Sequence, residues 1–413
     1  MLMGVAPKDW DIATNATPQQ VMAVFHDYRV IETGIRHGTV TVLIDGEPME
    51  ITTFREDVGY SDHRHPDTVI FAATLKVDVS RRDFTMNALA FSLERGVIDY
   101  FGGVEDIDAQ IIRCVGEANC RFNEDALRIL RALRFSSTLG FRIERGTTES
   151  IHRNKELLCS VSAERITIEL TKLLCGRNAG FILREFTDVI GVVIPEILSM
   201  IGFSQHNKHH CFDVWQHTVE VIENSEPERV LRWAALFHDI AKPDCFSIGA
   251  GSVGHFYGHT ALGKQRADTI MRRLKFDNET RERILKLIAY HDTPIRPEAK
   301  IVKRFLNRLG KDTLRQLLLL KRADVMGKAP TYHYRTREIE QTQAVMEQII
   351  AEEGCFSLKN LAVNGNDMIA LGLKGKKIGT ALNLLLNAVI DEQVQNERDK
   401  LLAYFRKLGE FDK

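Results

Sequence analysis

No run of eighteen consecutive apolar residues occurs in the sequence, and a helix needs about that many to cross a bilayer, so no membrane span is expected. The first residues, MLMGVAPKDW, lack the basic n-region and long apolar segment of a secretory signal, and the chain reads as cytoplasmic. Cysteine is sparse. Seven occur, an odd number, scattered singly without CxxC spacing, which fits reduced thiols and argues against a cysteine-ligated zinc site. An excess of charge is missing too. The 55 Lys and Arg meet 56 Asp and Glu, for a net charge of −1, so any surface for nucleic acid must be a local one. One candidate runs from Lys300 to Glu338, with eleven Lys or Arg, three acidic residues and Tyr332 and Tyr334 interleaved; it is either a solvated helical surface or a phosphate-contacting one. Internal repeats and low-complexity segments are absent.

What is present is ample core material, 44% hydrophobic residues in 413, enough for two to four domains. The first ~115 residues read as mixed α/β. TPQQVMAVFH (17–26) predicts a short helix with Thr17 as N-cap and Pro18 in the first turn. TVTVLI (39–44) predicts a strand, Asp45-Gly46 a hairpin turn, and Met49 to Phe54 the returning strand. A third strand is expected at Ile111 to Val115. From about Asn123 the pattern is helical almost throughout, as in EDALRILRALRFSS and RVLRWAALFHDIAK. The fold class expected is α+β: an α/β unit over 1–120, followed by helical segments over 121–200, 205–328 and 329–413.

Carboxylates and arginines carry the chemistry of the first half. Asp9 and Asp11 stand at i and i+2, which on an extended segment places both on one face, costly unless a cation lies between them. Mg²⁺ takes such carboxylates together with substrate phosphates and supports in-line attack on a nucleoside triphosphate. Glu50, on the returning hairpin strand, is a candidate third carboxylate. Arg81 and Arg82 in KVDVSRRDFTMNALAF offer forked donors for phosphate, and Asp83 can accept from ribose hydroxyls. Glu124, Asp125, Arg128 and Arg131 fall at i, i+1, i+4 and i+7, which one helix would bring to one face. A carboxylate accepting from an exocyclic amine beside a guanidinium donating to a ring nitrogen or carbonyl suits cytosine and adenine alike. Glu124 is expected to pair with Arg128.

The strings PKDWDIATNATPQQV, HGTVTV, EITTFRED, DHRHPDTVIF, RRDFTMNALAF, YFGGVEDI and RFNEDALRILRALRF, in that order and spacing, resemble class II CCA-adding enzymes and bacterial poly(A) polymerases. The likeness is specific over about residues 5–140, and weaker through SAERITIEL. LAVNGNDMIALGLKGKKIGTALNLLLNAVID is similar to the tRNA-binding tail of bacterial CCA enzymes. The resemblance implies a polymerase-β-like nucleotidyltransferase head, Mg²⁺ at Asp9 and Asp11 with Glu50, and triphosphate and ribose held by Arg82 and Asp83. It implies that Asp125 and Arg128 select CTP and ATP without a nucleic-acid template, that Glu124 orients the arginine, and that Arg131 faces the nucleotide. The partners it implies are tRNA, CTP and ATP. Family members also carry a segment of the type LVGGxxRD about twenty residues ahead of the paired aspartates. This sequence has eight residues before Asp9, so the expectation is weak or absent transferase activity for this polypeptide.

A second constellation lies in the helical half: His217, His238-Asp239, His259, His291-Asp292 and Asp324. An adjacent His-Asp pair with a distant His and Asp on other helices suits a divalent ion bound by imidazole and carboxylate. The pattern resembles the HD phosphohydrolase superfamily, carried here by His217, His238, Asp239 and Asp324. His259 and His291 are candidates for a second metal position, and Lys242 for a phosphate contact. Such modules in CCA enzymes act on phosphate ester ends, including 2′,3′-cyclic phosphates. The leading expectation is CCA addition to tRNA. The alternatives are a poly(A) polymerase or an enzyme adding part of CCA, an HD phosphohydrolase with an inactive head, and a nonenzymatic RNA-binding protein.

Overall fold

The computed structural model describes residues 2–4, 10–32, 34–59, 68–207, 211–249, 251 and 253–409. Asp9, one of the paired aspartates, lies outside the described residues. The chain forms two compact units, one of residues 1–198 with 272–276 and the other of residues 199–271 with 277–413.

The first unit is mixed α+β. It opens with β1 (Ile12–Thr14), α1 (Pro18–Val24), β2 (Arg29–Ile31), β3 (Thr39–Ile44) and β4 (Glu47–Thr53), whose strands form one sheet in the order β1-β4-β3-β2. Thr17 caps α1 in a capping box with Gln20, so the local signal suffices there. The β3–β4 hairpin turns on Asp45 (φ 51°) and Gly46 (φ 87°), the left-handed pair that a tight two-residue turn requires. Alternation does the rest. Val40, Val42 and Ile51 are buried with Val21 of α1, while Thr39, Thr41 and Glu50 take the opposite face. β1 runs parallel to β4 with Ile12 beside Ile51, so one step earlier Asp11 stands in register with Glu50.

Two hairpins and short helices follow: β5 (Arg55–Val58), β6 (Thr68–Phe71), α2 (Leu75–Ser80), β7 (Leu89–Ser92), β8 (Gly96–Asp99) and α3 (Gly103–Asp108). The strand expected at Ile111 to Val115 is two residues long, β9 (Ile111–Ile112), pairs with β10 (Arg142–Ile143), and continues only as a bridge from Cys114 to Phe84. Helices α4 (Ala118–Glu124), α5 (Leu127–Leu139), α6 (Arg145–Asn154), α7 (Ala163–Leu174), α8 (Ala179–Glu185) and α9 (Thr187–Val193) complete the unit. The single helix expected through EDALRILRALRF is broken. Asp125 is extended (φ −140°, ψ 103°), and its Oδ1 accepts the Leu127 amide at 3.1 Å, which starts α5 afresh.

α5 packs on α7, and the approach is so close that a glycine is required. A Cβ at Gly176 would meet Ser137 Oγ and lie 2.6 Å from the Ser137 carbonyl carbon. Gly176→Ala is therefore expected to destabilise the protein by about 1–3 kcal/mol through overpacking. The check is a lowered urea midpoint with an unchanged m-value; an unmoved midpoint would contradict this packing.

The second unit is helical: α10 (Val214–Asn224), α11 (Arg229–Phe237), a small hairpin β11 (Ser247–Ile248) and β12 (Gly254–His255), α12 (His259–Arg273), α13 (Asn278–Tyr290), α14 (Ala299–Leu309), α15 (Lys311–Met326), α16 (Thr336–Ala351), α17 (Gly365–Ala370), α18 (Lys376–Ile390) and α19 (Arg398–Leu408). α11 is buried along all but its first residue, as its run of apolar residues requires, and it packs against α10, α13 and α15. Burying Trp233 and Phe237 there contributes about 1.5–3 kcal/mol each. Asp213 and Asp277 cap α10 and α13 by accepting amide bonds at 2.6 and 2.8 Å. A separate apolar cluster built on Met368, Leu385 and Leu401 holds α17, α18 and α19 together. Among the described residues no helix is long and apolar enough to cross a membrane. None of the seven cysteines forms a disulfide, and burial pushes the Cys114 thiol up to about 12.

Candidate functional site

The first unit carries two cavities that share Arg81 and Arg82. The smaller, about 180 Å³, is lined by Asp11, Thr39, Thr52 and Asp78, and the larger, about 470 Å³, by Asp83, Asn87, Asp125, Arg128 and Arg131. The structure thus places Asp11 at one end and Asp125, Arg128 and Arg131 at the other, with Arg81 and Arg82 between them. Glu50 is exposed on β4, opposite Asp11 in the parallel register and so on the same sheet face.

The two arginines of the pair are not equivalent. Arg81 is committed to Asp78 (2.8 Å) and Asp57 (3.4 Å). Arg82 keeps a buried Nε with no hydrogen-bond partner among the described residues. An unmatched buried guanidinium donor is costly, and an anion in the cavity would satisfy it. Asp83 is buried, and its acceptor sites are largely taken by the Phe84 amide (2.9 Å), Asn87 Nδ2 (3.0 Å) and the Arg131 guanidinium (2.7 Å). It holds Asn87 and Arg131 in place while lining the cavity.

Arg128 is positioned by three bonds. Its Nη1 donates to Glu124 at 2.6 Å and to the Arg121 carbonyl at 3.2 Å, and its Nη2 donates to the Arg81 carbonyl at 2.7 Å. The expected Glu124–Arg128 pair is present even though the helix breaks, because α4 delivers Glu124 just before the break. Five N–H donors less three leaves two on this guanidinium for a ligand. Asp125 accepts from Arg165 at 2.8 Å, a residue that sequence spacing did not single out, forty positions away on α7. Asn87 was likewise missed. Neither carries a local signal, since each acts on its partner only through the fold.

In the second unit, six residues from five segments converge. His217 comes from α10, His238 and His291 cap the C-termini of α11 and α13, His259 opens α12 and Asp324 lies on α15; Asp239 follows His238. Among the described residues two groups can hold an ion: His217, His238, Asp239 and Asp324, and Asp239, His259 and His291. Asp239 belongs to both. Its Oδ2 faces His238 Nε2 (3.0 Å) and His217 Nε2 (3.5 Å), and its Oδ1 faces His259 and His291 Nε2 (3.6 Å each).

The tautomers follow from geometry. The Nδ1 atoms of His217, His238, His259 and His291 lie 3.0, 2.7, 2.8 and 2.8 Å from the carbonyl oxygens of Gly327, Ala235, Phe256 and Ile288. A carbonyl only accepts, so each Nδ1 carries a proton, and each ring in its neutral form turns a bare Nε2 inward. Two such pairs then stand at 3.4 Å, His217 with His238 and His259 with His291. Lone pair facing lone pair beside carboxylate oxygens is an arrangement that a cation resolves. Both Asp239 oxygens are buried and, apart from the Lys242 ion pair, lack a well-formed hydrogen bond among the described residues, which fits the same reading.

Charge is concentrated here. Burial works to raise the Asp239 carboxyl, and His238 and Lys242 beside it hold it well below the usual range. Burial likewise opposes ionisation of Asp324, which Lys328 and His217 outweigh. Burial pushes the His217 and His291 imidazoles down, whereas Asp239 overcomes burial to hold His238 up. Lys242 Nζ lies 2.6 Å from Asp239 and donates to Gln205 at 2.8 Å, and Lys328 Nζ lies 2.6 Å from Asp324. The cluster floors a cavity of about 310 Å³. Lys328 was not picked out in the sequence, although its position four residues after Asp324 would have allowed it.

The basic stretch from Lys300 to Glu338 reads differently in three dimensions. Lys300 and Arg304 pair with Asp391, Arg315 with Glu347 and Asp312, and Arg335 with Glu338. Lys321, half-buried, donates to the carbonyls of His291 and Thr293, and desolvation pushes it down to about 8. Much of the charge is internally matched by acids from other helices, so this stretch is largely a paired structural surface.

Comparison with known proteins bears on these geometries. Residues 1–113 match the family model of the "Poly A polymerase head domain", residues 140–197 that of the "Probable RNA and SrmB- binding site of polymerase A", and residues 256–405 that of "tRNA nucleotidyltransferase domain 2". A CCA-adding enzyme of Geobacillus thermodenitrificans is 49% identical over 410 residues, spanning 98% of this chain and 89% of the relative. The crystal structure of the Bacillus stearothermophilus CCA-adding enzyme in complex with CTP superposes with a TM-score of 0.71 at 30% identity, covering 99% of this chain and 90% of that one. A Thermotoga maritima CCA-adding enzyme complexed with tRNA shares the fold, with a TM-score of 0.57 at 19% identity over 98% of this chain and 88% of that one.

Proposed function

The chain belongs to the family of CCA-adding enzymes, and from that premise we propose which of its residues carry out the reaction. The protein is a nucleotidyltransferase that adds CMP, CMP and AMP to the 3′ end of tRNA from CTP and ATP. The observation that supports the residue assignment best is the sharing of Arg81 and Arg82 by the carboxylate cavity and the arginine cavity. A triphosphate lying along that pair presents its α-phosphorus toward Asp11 and its base toward Asp125 and Arg128. The tRNA 3′-hydroxyl attacks the α-phosphorus, and pyrophosphate leaves.

CCA-adding enzymes are metal-dependent, and the oxygen-only set of Asp9, Asp11 and Glu50 suits magnesium. When bound, that ion supplies activation of the hydroxyl and neutralises charge on the triphosphate. The chain's own part is positioning. Arg82 offers its unmatched Nε to phosphate oxygens, and Arg131, fixed by Asp83, faces the nucleotide. Asp125 accepts from the exocyclic amine common to cytosine and adenine. Arg128 donates its two remaining N–H groups to the neighbouring ring acceptor. Uracil and guanine reverse that donor and acceptor order, so one fixed pair rejects both.

A second activity is supported by the imidazole cluster. We assign residues 205–328 to an HD module that hydrolyses phosphate ester ends, 2′,3′-cyclic phosphates included. Its mixed nitrogen and oxygen donors suit a transition metal over magnesium or calcium. Lys242 and Lys328 are placed to meet phosphate charge.

The test is extension of tRNA transcripts lacking three, two or one of the terminal nucleotides, with CTP, ATP and Mg²⁺. Stepwise addition of C, C and A is expected, with Asp11→Ala lowering the rate by about 10³-fold or more as removal of a metal-holding carboxylate should. Unchanged extension by Asp11→Ala would refute the assignment of the carboxylate strand. Addition of A alone in long runs would instead favour a poly(A) polymerase.

A further inference from the structure

Part of the lining of the helical-unit cavity is aromatic, and it is built in an unusual way for a site that holds only phosphate. β12 ends at His255, and Tyr257 follows two residues later. The two rings are stacked, with centroids 5.3 Å apart and planes 10° from parallel. Both line the same cavity as Asp239, Lys242, His291 and Lys328. Tyr257 is 77% exposed, the most exposed aromatic among the described residues. A tyrosine left in water gains little from the fold and, with one face covered by His255, keeps the other face for a ligand. Its neighbour Phe256 points the other way in function: it lies under the Lys242 ammonium, 5.3 Å from ring centroid to Nζ, and belongs to the cavity's cationic side.

We propose that the His255–Tyr257 pair is a base-stacking platform, so that the ligand of this cavity is a nucleoside phosphate ester and not a phosphate ester in general. The inference rests on the phosphohydrolase reading of the cluster. It adds the residues that choose among esters. Three features of the cavity support it together. Its floor holds imidazoles and carboxylates of two adjoining cation positions, its side holds Lys242 and Lys328, and its rim holds two parallel rings. A phosphate on the floor of a space of about 310 Å³ leaves room for one ribose and brings the base to the rim. Stacking on an aromatic face is indifferent to which base is present, because every base has a π-face. The platform therefore discriminates nucleoside from non-nucleoside esters, with little preference among the four bases. It is a specificity device, and the chemistry at the floor does not depend on it.

The experiment uses the full-length protein and two substrates, adenosine 2′,3′-cyclic phosphate and methyl riboside 2,3-cyclic phosphate, which lacks the base. The wild type is expected to show a KM about tenfold lower for the nucleoside ester, the size of one stacking contact, with similar kcat for both. Tyr257→Ala should raise KM for the nucleoside ester to that of the baseless one and leave kcat and the baseless KM alone, and Tyr257→Phe should restore the difference. A second readout is independent of turnover: adenosine 2′-monophosphate should protect Tyr257 from nitration, mapped by mass spectrometry, and ribose phosphate should not. Equal KM values for both esters in the wild type, or a preference that survives in Tyr257→Ala, would overturn the platform alone. Hydrolysis of neither ester, with no protection of Tyr257, would overturn the phosphohydrolase reading and the platform with it.

Discussion

Asp239→Asn removes divalent-metal binding from the helical unit. Asp239 is the one side chain shared by both groups, with Oδ2 turned to His217 and His238 and Oδ1 to His259 and His291. Loss of a residue that merely orients a ligand costs about 10–100-fold in affinity, and loss of a shared ligand should exceed that. The expected result is a fall in metal affinity of more than about 100-fold at both positions, with loss of phosphoesterase activity. A contrasting variant separates this from misfolding. His259→Gln touches only the second group, so it should reduce stoichiometry from two ions to one while the first remains. Calorimetric titration and metal analysis of the purified variants give both numbers. Full stoichiometry in Asp239→Asn would mean that the ions sit elsewhere. The substitution also leaves Lys242 and His238 without their buried counter-charge, and breaking a buried pair costs about 3–5 kcal/mol. The circular-dichroism spectrum and thermal midpoint of each variant are therefore part of the measurement.

Arg128→Ala is expected to abolish selection of CTP and ATP over UTP and GTP. The guanidinium is 11% exposed and tied to Glu124 and to the carbonyls of Arg81 and Arg121, so its direction is fixed before nucleotide arrives. A bidentate contact to a base edge is worth about 1–3 kcal/mol of discrimination, or roughly 5- to 150-fold. kcat/KM for CTP and ATP should fall by about that factor or more, while UTP and GTP fall much less. Arg128→Lys should not rescue, because an ammonium cannot hold three fixed bonds and still present a planar edge. Arg165→Ala gives the milder counterpart. It frees Asp125 without removing a base contact, so it should raise KM and blur discrimination while leaving kcat near the wild type. Retained discrimination in Arg128→Ala would show that other residues read the base.

The sequence by itself determined whatever depends on neighbours within a few positions. Thr17 and Gln20 cap α1, the β-branched run 39–44 is a strand of that length, and Asp45-Gly46 turns the hairpin, because each is settled by local torsions, hydrogen bonds and alternation. The order of motifs also named the family, and the spacing of histidines and aspartates picked out side chains that the fold brings together. Only the tertiary structure decided what those residues face. Asp125 left its helix because its carboxylate prefers to cap the next one, a competition that periodicity alone does not see. Asp83 exchanged a free carboxylate for a bond to Arg131, 48 positions away. The basic stretch was matched by Asp391 and Glu347 from other helices. The carbonyl of Gly327, 110 residues from His217, fixes which nitrogen of that ring is bare. Spacing says which groups are available. Protonation, exposure and charge balance depend on partners that only chain folding brings within hydrogen-bond distance, and those partners make a set of available groups into a site.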